Sequence, residues 1–308
     1  MRRSLLVLLP AVLFFSIGCA QSGRSPSRPQ ASIAPRAAML AVAPPTRNAN
    51  PHFYPSHAPD IRAESVIMID ARTGRTIHHK NPDIRRQVAS TQKLLTALVV
   101  LDRGRLNAPI TIQPEDTKVP PSKLYLKPGD VYTRAELLRA FLVKSANDAA
   151  MALARDAAGS VPAFAGLMNQ KARQLGAYQS NFVNPHGLTA SGQFSSARDV
   201  ARIAFHAYRN PFIRQTVRLE KYSLVTPTGV KELKNTNKLL DRMPGCNGMK
   251  TGSTRASGRC LVSSCSRGGR SVILVQLGTK TEYIWDDGEL LMNWGLRNLS
   301  SGSRVAYH

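Results

Sequence analysis

Acidic side chains are the first shortage. The chain of 308 residues has 19 Asp and Glu against 42 Lys and Arg, a formal net charge of +23. Such an excess favours anionic partners through long-range attraction. Aromatic residues are also few, at 6%. No basic run is interleaved with them, so the usual footprint of a nucleic-acid binder is missing and none is expected. Only four cysteines are present. There is no Cys-x-x-Cys pair and no histidine cluster, so neither a metal nor another cofactor is expected. No segment repeats, and no amphipathic anchor follows Trp294. The apolar run from Leu5 to Ile17 is broken by Pro10 and is too short for an ordinary membrane span. With nucleic acid set aside, an anionic polymer of the cell envelope is the partner that fits the charge.

The N-terminus supports that compartment. Arg2 and Arg3 precede the apolar run, and Ser16-Ile17-Gly18-Cys19 closes it, so residues 1–19 read as an export signal. Gly18-Cys19 resembles a bacterial lipoprotein cleavage site, although Ser16 departs from that pattern. The expectation is an exported protein of the periplasm or cell envelope, held at a membrane by a lipid on Cys19. Cys246, Cys260 and Cys265 remain, and an odd number in an exported chain leaves at least one unpaired or bridged to another chain. They read as small buried residues.

Residues 20–60 are rich in Pro, Ala and Ser, with little periodicity, and read as a disordered tether. A folded domain is expected over 61–300. Val66 to Ile69 reads as a strand, with a turn at Asp70 to Gly74 and a returning strand through Arg75 to His78. Leu94 to Leu101 reads as a buried helix. Thr133 and Glu136 form a capping box ahead of a helix through Leu142. Asp148 to Ala158 reads as another helix, and Ser195 or Ser196 caps a third. Cys260 to Ser264 and Ser271 to Leu277 read as strands joined by a turn at Arg267 to Arg270. Leu290, Leu291 and Trp294 suit a final packing helix. Strands at both ends with helices between predict an α+β fold, an antiparallel sheet flanked by helices with a mostly helical insertion.

Three short motifs occur once each and in order: Ser90-Thr91-Gln92-Lys93, Ser145-Ala146-Asn147 and Lys250-Thr251-Gly252. Singly each is weak. Together they form the S-x-x-K, S-x-N, K-T-G set of a serine acyl-transfer site. A serine hydroxyl needs a base to become a nucleophile. Residues i and i+3 share a helix face, so Lys93 is placed to deprotonate Ser90. Burial and the nearby charge of Lys250 would hold that amine neutral. Ser145 is placed to pass the proton to a leaving amine, and Asn147 to bond a substrate amide. Lys250 and Thr251 face an anionic substrate end. Gly252 lets a substrate backbone lie along the strand. The N–H groups of Ser90 and Ser253 form the oxyanion site.

With those motifs in place the chain resembles the serine-type D-Ala-D-Ala carboxypeptidases, the low-molecular-mass penicillin-binding proteins, over roughly residues 63–296. Further likeness lies in Asp70-Ala71-Arg72-Thr73-Gly74, Asn147-Asp148-Ala149-Ala150, Asn184-Pro185-His186-Gly187-Leu188, Asn235-Thr236-Asn237 and Asn293-Trp294-Gly295. The resemblance implies a β-lactamase/DD-peptidase fold, an acyl-enzyme on Ser90 and release of terminal D-Ala from peptidoglycan stem peptides. It also implies covalent inhibition by β-lactams. Gln87, Gln92 and Asn247 stand where the family usually has Pro, Thr and Asp. Ile284 stands before Trp285 where it often has an Arg. The resemblance then leaves the substrate carboxylate to Arg255 or Lys280, and it leaves a DD-endopeptidase open. A β-lactamase and a non-catalytic wall-binding relative are the other readings. His186 reads as a structural histidine at a turn rather than a general base.

Overall fold

The structure is a computed structural model that describes residues 57–299. The export signal, Cys19 and nearly all of the proposed tether lie outside them. In chain order the elements are β1 (Ser65–Asp70), β2 (Thr76–Lys80), α1 (Lys93–Asp102), β3 (Pro109–Thr111), β4 (Val131–Thr133), α2 (Arg134–Lys144), α3 (Asn147–Ala158) and α4 (Val161–Gln174). There follow α5 (Ala197–Arg209), α6 (Pro211–Val217), β5 (Lys221–Thr226), β6 (Gly229–Lys234), α7 (Leu239–Arg242), β7 (Cys246–Thr254), β8 (Gly258–Arg267), β9 (Arg270–Thr279) and α8 (Ile284–Asn298).

Five strands form one sheet in the order β2-β1-β9-β8-β7, each neighbouring pair antiparallel. Successive side chains of a strand point to opposite faces, and here both faces are covered. Along β1, Val66 and Met68 join one core with Trp294, Leu291 and Met292 of α8. Ile67 and Ile69 join the other, with α1, α2, α3 and α5. This explains why β1 reads as a continuous apolar run rather than an alternation, since all six of its residues are buried. The fold is thus α+β, with the insertion between β2 and β7 mostly helical, as the sequence predicts.

Local signals place the helices. Glu136 N–H donates to Thr133 Oγ1, and Thr133 N–H donates to Glu136 Oε2, which closes the capping box of α2. Ser196, not Ser195, caps α5. Ser195 is instead bridged by backbone bonds to Arg86. Leu94 to Val100 of α1 are all buried, so the helix is apolar all round because it is enclosed all round. One packing expectation fails. Leu291 and Trp294 are buried, but Leu290 is 47% exposed, because one residue along a helix rotates the side chain about 100° from its neighbour.

Candidate active site

Ser90 sits in a 3-10 turn, Ala89–Gln92, that runs straight into α1 at Lys93. Two glycines hold this turn from either side. A Cβ on Gly187, which has φ +87°, would lie 2.2 Å from the Ala89 carbonyl oxygen. A Cβ on Gly252 would lie 2.9 Å from both Ala89 Cβ and Ser90 N. Gly252 therefore lets the Ser90 turn, rather than a substrate backbone, approach β7. Ala89 itself has φ +48°, a left-handed conformation that costs a non-glycine residue energy and clusters at functional sites.

Lys93 is fully buried. Its Nζ lies 2.8 Å from Ser90 Oγ, 2.8 Å from Asn147 Oδ1 and 2.5 Å from the His186 carbonyl oxygen. The last two partners only accept. A neutral amine has two N–H groups for them and one lone pair left to face the serine hydroxyl. Burial, and then the charge of Lys250, hold the Lys93 pKa well below the ordinary lysine range, against a weaker pull from Asp148. Burial also brings Lys250 down to about 7.

Ser145 and Asn147 occupy the corner between α2 and α3. Ser145 ends α2 with φ +63°, and Asn147 is the first residue of α3. Asn147 does not hold its amide out for a substrate. Its Oδ1 takes Lys93, and its Nδ2 donates to the Pro120 carbonyl at 3.0 Å. Asp148 accepts the N–H groups of Leu124 at 3.0 Å and Leu126 at 3.2 Å, fastening the chain beside Ser122 to the same corner.

The K-T-G element lies on β7, at the margin of the sheet. Lys250 is buried and donates to the Thr251 carbonyl at 3.0 Å. Thr251 donates to Thr236 Oγ1 at 2.6 Å, and Asn237 Nδ2 donates to the Gly248 carbonyl at 2.8 Å, so Asn235 to Asn237 braces the strand. Ser90, Ser145, Asn147, Thr251, Gly252 and Ser253 line one cleft of about 340 Å³. Lys93 and Lys250 lie beneath its surface.

Of the two secondary candidates, His186 is the turn residue expected and Arg255 lies elsewhere. The His186 side chain accepts the Leu188 N–H at 3.2 Å through Nδ1, and burial with Lys93 nearby pulls its pKa down to about 3. It is a neutral turn residue whose carbonyl, not its ring, meets Ser90 and Lys93. Arg255 lies in the β7–β8 turn, where Thr254 and Ser257 bond each other, and lines a different cleft with Arg62, Glu64 and Lys280. The cations that line the Ser90 cleft are Lys238 and Arg259, and neither was singled out from sequence. Arg259 stands opposite Ser253 in the β7–β8 register and donates to Thr281 Oγ1 at 2.8 Å. Only that register, which links Arg259 to the motif strand, would have revealed it. Gln87 is accommodated locally, whereas the buried Gln92 Oε1 has no hydrogen-bond partner among the described residues. Gln87 Nε2 donates to the Gln193 carbonyl and Gln92 Nε2 to the Asn184 carbonyl, both at 2.6 Å.

A family model described as D-alanyl-D-alanine carboxypeptidase matches residues 53–281. The chain belongs to the D-alanyl-D-alanine carboxypeptidase family. Among curated members of that family, DacC of Escherichia coli K12 is 33% identical over 252 residues, covering 78% of this chain and 62% of DacC. The chain thus spans about three fifths of that relative. A D-alanyl-D-alanine endopeptidase of the same organism is 32% identical over 243 residues, 77% of this chain and 78% of that protein. The crystal structure of a D-alanyl-D-alanine carboxypeptidase from Mycobacterium tuberculosis H37Rv superposes with a TM-score of 0.76 at 32% identity, covering 79% of this chain and 94% of that one. The D-alanyl-D-alanine carboxypeptidase family fold therefore accounts for the sheet, the helical insertion and the cleft between them.

Proposed function

We propose that this chain is an exported serine peptidase that removes terminal D-Ala from peptidoglycan stem peptides through an acyl-enzyme on Ser90. The observation that carries the reading is the buried Lys93 amine 2.8 Å from Ser90 Oγ. Lys93 takes the hydroxyl proton as Oγ attacks the carbonyl of the penultimate D-Ala. The N–H groups of Ser90 and Ser253 receive the developing oxyanion. The peptide C–N bond breaks, Ser145 delivers a proton to the leaving nitrogen, and D-Ala departs. Water then hydrolyses the ester and restores Ser90. Asn147 orients Lys93, and Lys250 supplies the positive field under Thr251. A β-lactam acylates the same hydroxyl by opening its ring.

Lys238 and Arg259 favour the carboxypeptidase over the endopeptidase, because a terminal carboxylate brings a charge that an internal cross-link lacks. Among the described residues no carboxylate lines the cleft to hold a deacylating water, which favours a peptidase over a β-lactamase. Among them, too, no helix is long and apolar enough to cross a membrane. Residues 61–300 are proposed as the catalytic domain, 20–60 as its tether and 1–19 as the signal, with lipid on Cys19 as the anchor. Radiolabelled palmitate incorporation, lost in Cys19→Ala, tests the anchor.

The activity test is product analysis by mass after incubation with a pentapeptide and with a cross-linked muropeptide. Free D-Ala from the pentapeptide, abolished by Ser90→Ala, is the expected result. Preferential cleavage of the muropeptide would make it an endopeptidase. A labelled-penicillin adduct that is rapidly lost would make it a β-lactamase, and a wild-type chain that never acylates would make it a scaffold.

A further inference from the structure

A second cleft, of about 420 Å³, opens where Arg72 of the β1–β2 turn, Arg209 at the end of α5, Arg214 of α6 and Arg270 at the start of β9 meet. It lies at the far end of the sheet from Ser90. Arg259 and Cys260, near one end of β8, line the catalytic cleft, whereas Gly269 and Arg270, just past the other end, line this one. At about 3.3 Å per residue the length of β8 separates them by about 25 Å.

The charge in this cleft is one-sided. Among the described residues Asp70 is its only carboxylate, and Asp70 Oδ1 is taken by the N–H groups of Arg72 at 2.8 Å and Thr73 at 3.4 Å, closing its own turn. Among the described residues none of the four arginines has a carboxylate within ion-pair distance, although eight other bases in the chain do. The guanidinium groups of Arg209 and Arg214 lie over the rings of Phe205 and Tyr208, with Cζ 5.4 Å and 5.9 Å from the ring centres, and a stacked guanidinium keeps its N–H edge for an acceptor. Arg270 is the most enclosed. Its Nη1 donates to the Leu296 carbonyl at 3.1 Å, while its buried Nε has no hydrogen-bond partner among the described residues. Buried polar groups are rarely left without a partner, and each one asks for an explanation. Four guanidinium groups against the one carboxylate of Asp70 leave a surplus of positive charge, and an anion seated among them offsets it.

We infer that this cleft binds a phosphate-class oxyanion. A carboxylate fills one guanidinium fork, whereas a tetrahedral phosphate presents enough acceptors for several forks at once. The cleft is large enough for a phosphate ester as well as the free ion. The ligand is inorganic phosphate or the phosphate of an anionic lipid headgroup, and the shared chemistry is the same.

Two arms test this with the full chain: calorimetric titration with inorganic phosphate, and co-sedimentation with phosphatidylglycerol against phosphatidylcholine vesicles. Saturable binding is expected, weakened at least about tenfold by the exposed pair Arg72→Gln/Arg214→Gln and less than about twofold by the charge-matched pair Arg103→Gln/Arg173→Gln. Arg270→Lys, which keeps the charge and loses the fork, weakens it as well; should that variant misfold, the exposed pair still decides. Sensitivity of free phosphate alone to the pair assigns the free ion. Sensitivity of phosphatidylglycerol binding, competed by phosphate, assigns the headgroup. Lack of saturable binding in both arms, or equal losses in the two double variants, overturns the proposal.

Discussion

Lys93 and Lys250 titrate as a coupled pair in one buried pocket. In the proposed mechanism Lys93 acts as base only when neutral, and its pKa is held well below that of an ordinary lysine. Raising the pH therefore increases the competent fraction, which gives the acid limb of kcat/KM. The same mechanism needs Lys250 as a cation, and burial brings its pKa down to about 7, which gives the alkaline limb. Acylation by labelled penicillin, followed against pH, should trace a bell. Lys250→Arg should carry the alkaline limb upward, because a guanidinium stays charged to beyond about pH 12. His186→Asn should leave both limbs in place, since the imidazole, with a pKa near 3, is already neutral throughout. An acid limb abolished by that change would give the base role to His186 instead of Lys93.

At the scale of elements, the site is a contact between the Ser90 turn and β7, and Gly252 sets its spacing. Gly252→Ala puts a methyl 2.9 Å from the Ser90 nitrogen, so the turn must move away from the strand. A misplacement of about 1 Å costs about a hundredfold in rate. The acylation rate should fall by at least that factor while far-UV circular dichroism remains native. The elements themselves were legible where burial imposes a pattern. Leu94 to Val100, the Thr133–Glu136 box and the Arg267–Arg270 turn all read directly from the chain. The β5–β6 hairpin did not, because only Leu224 and Leu233 among its residues are buried and the exposed tip pairs Val225 with Val230. Helix α4 is marked in the chain only by Ser160 and Pro162 at its start. In the site, motif order fixed which residues meet. The sequence could not say that Gly252 faces the serine turn, that Asn147 serves Lys93, or that Arg259 and not Arg255 reaches the cleft. Those depend on register and on which way a turn closes.

At the scale of the molecule, two cores on either side of the sheet hold the fold, and Cys246, Cys260 and Cys265 are free thiols. Cys246 and Cys265 face each other across β7 and β8, and burial pushes the Cys265 thiol up to about 11. A thiol so far from ionising is a poor redox partner. Thermal unfolding with and without reductant should differ by less than about 2 °C, whereas loss of a stabilising bridge would lower it by several degrees.

The sheet ends at β7, and an unfinished margin is a hazard, since its free amide and carbonyl groups invite another strand. Here that margin is recessed. The Ala89–Gln92 turn is pressed against Gly252, and the corner at Ser145 stands across the gap. A single slender chain can slip into what remains, but the flank of a folded neighbour is too broad to enter. At the β7 side the recess thereby leaves an aggregation-prone edge open only to a chain narrow enough to enter it.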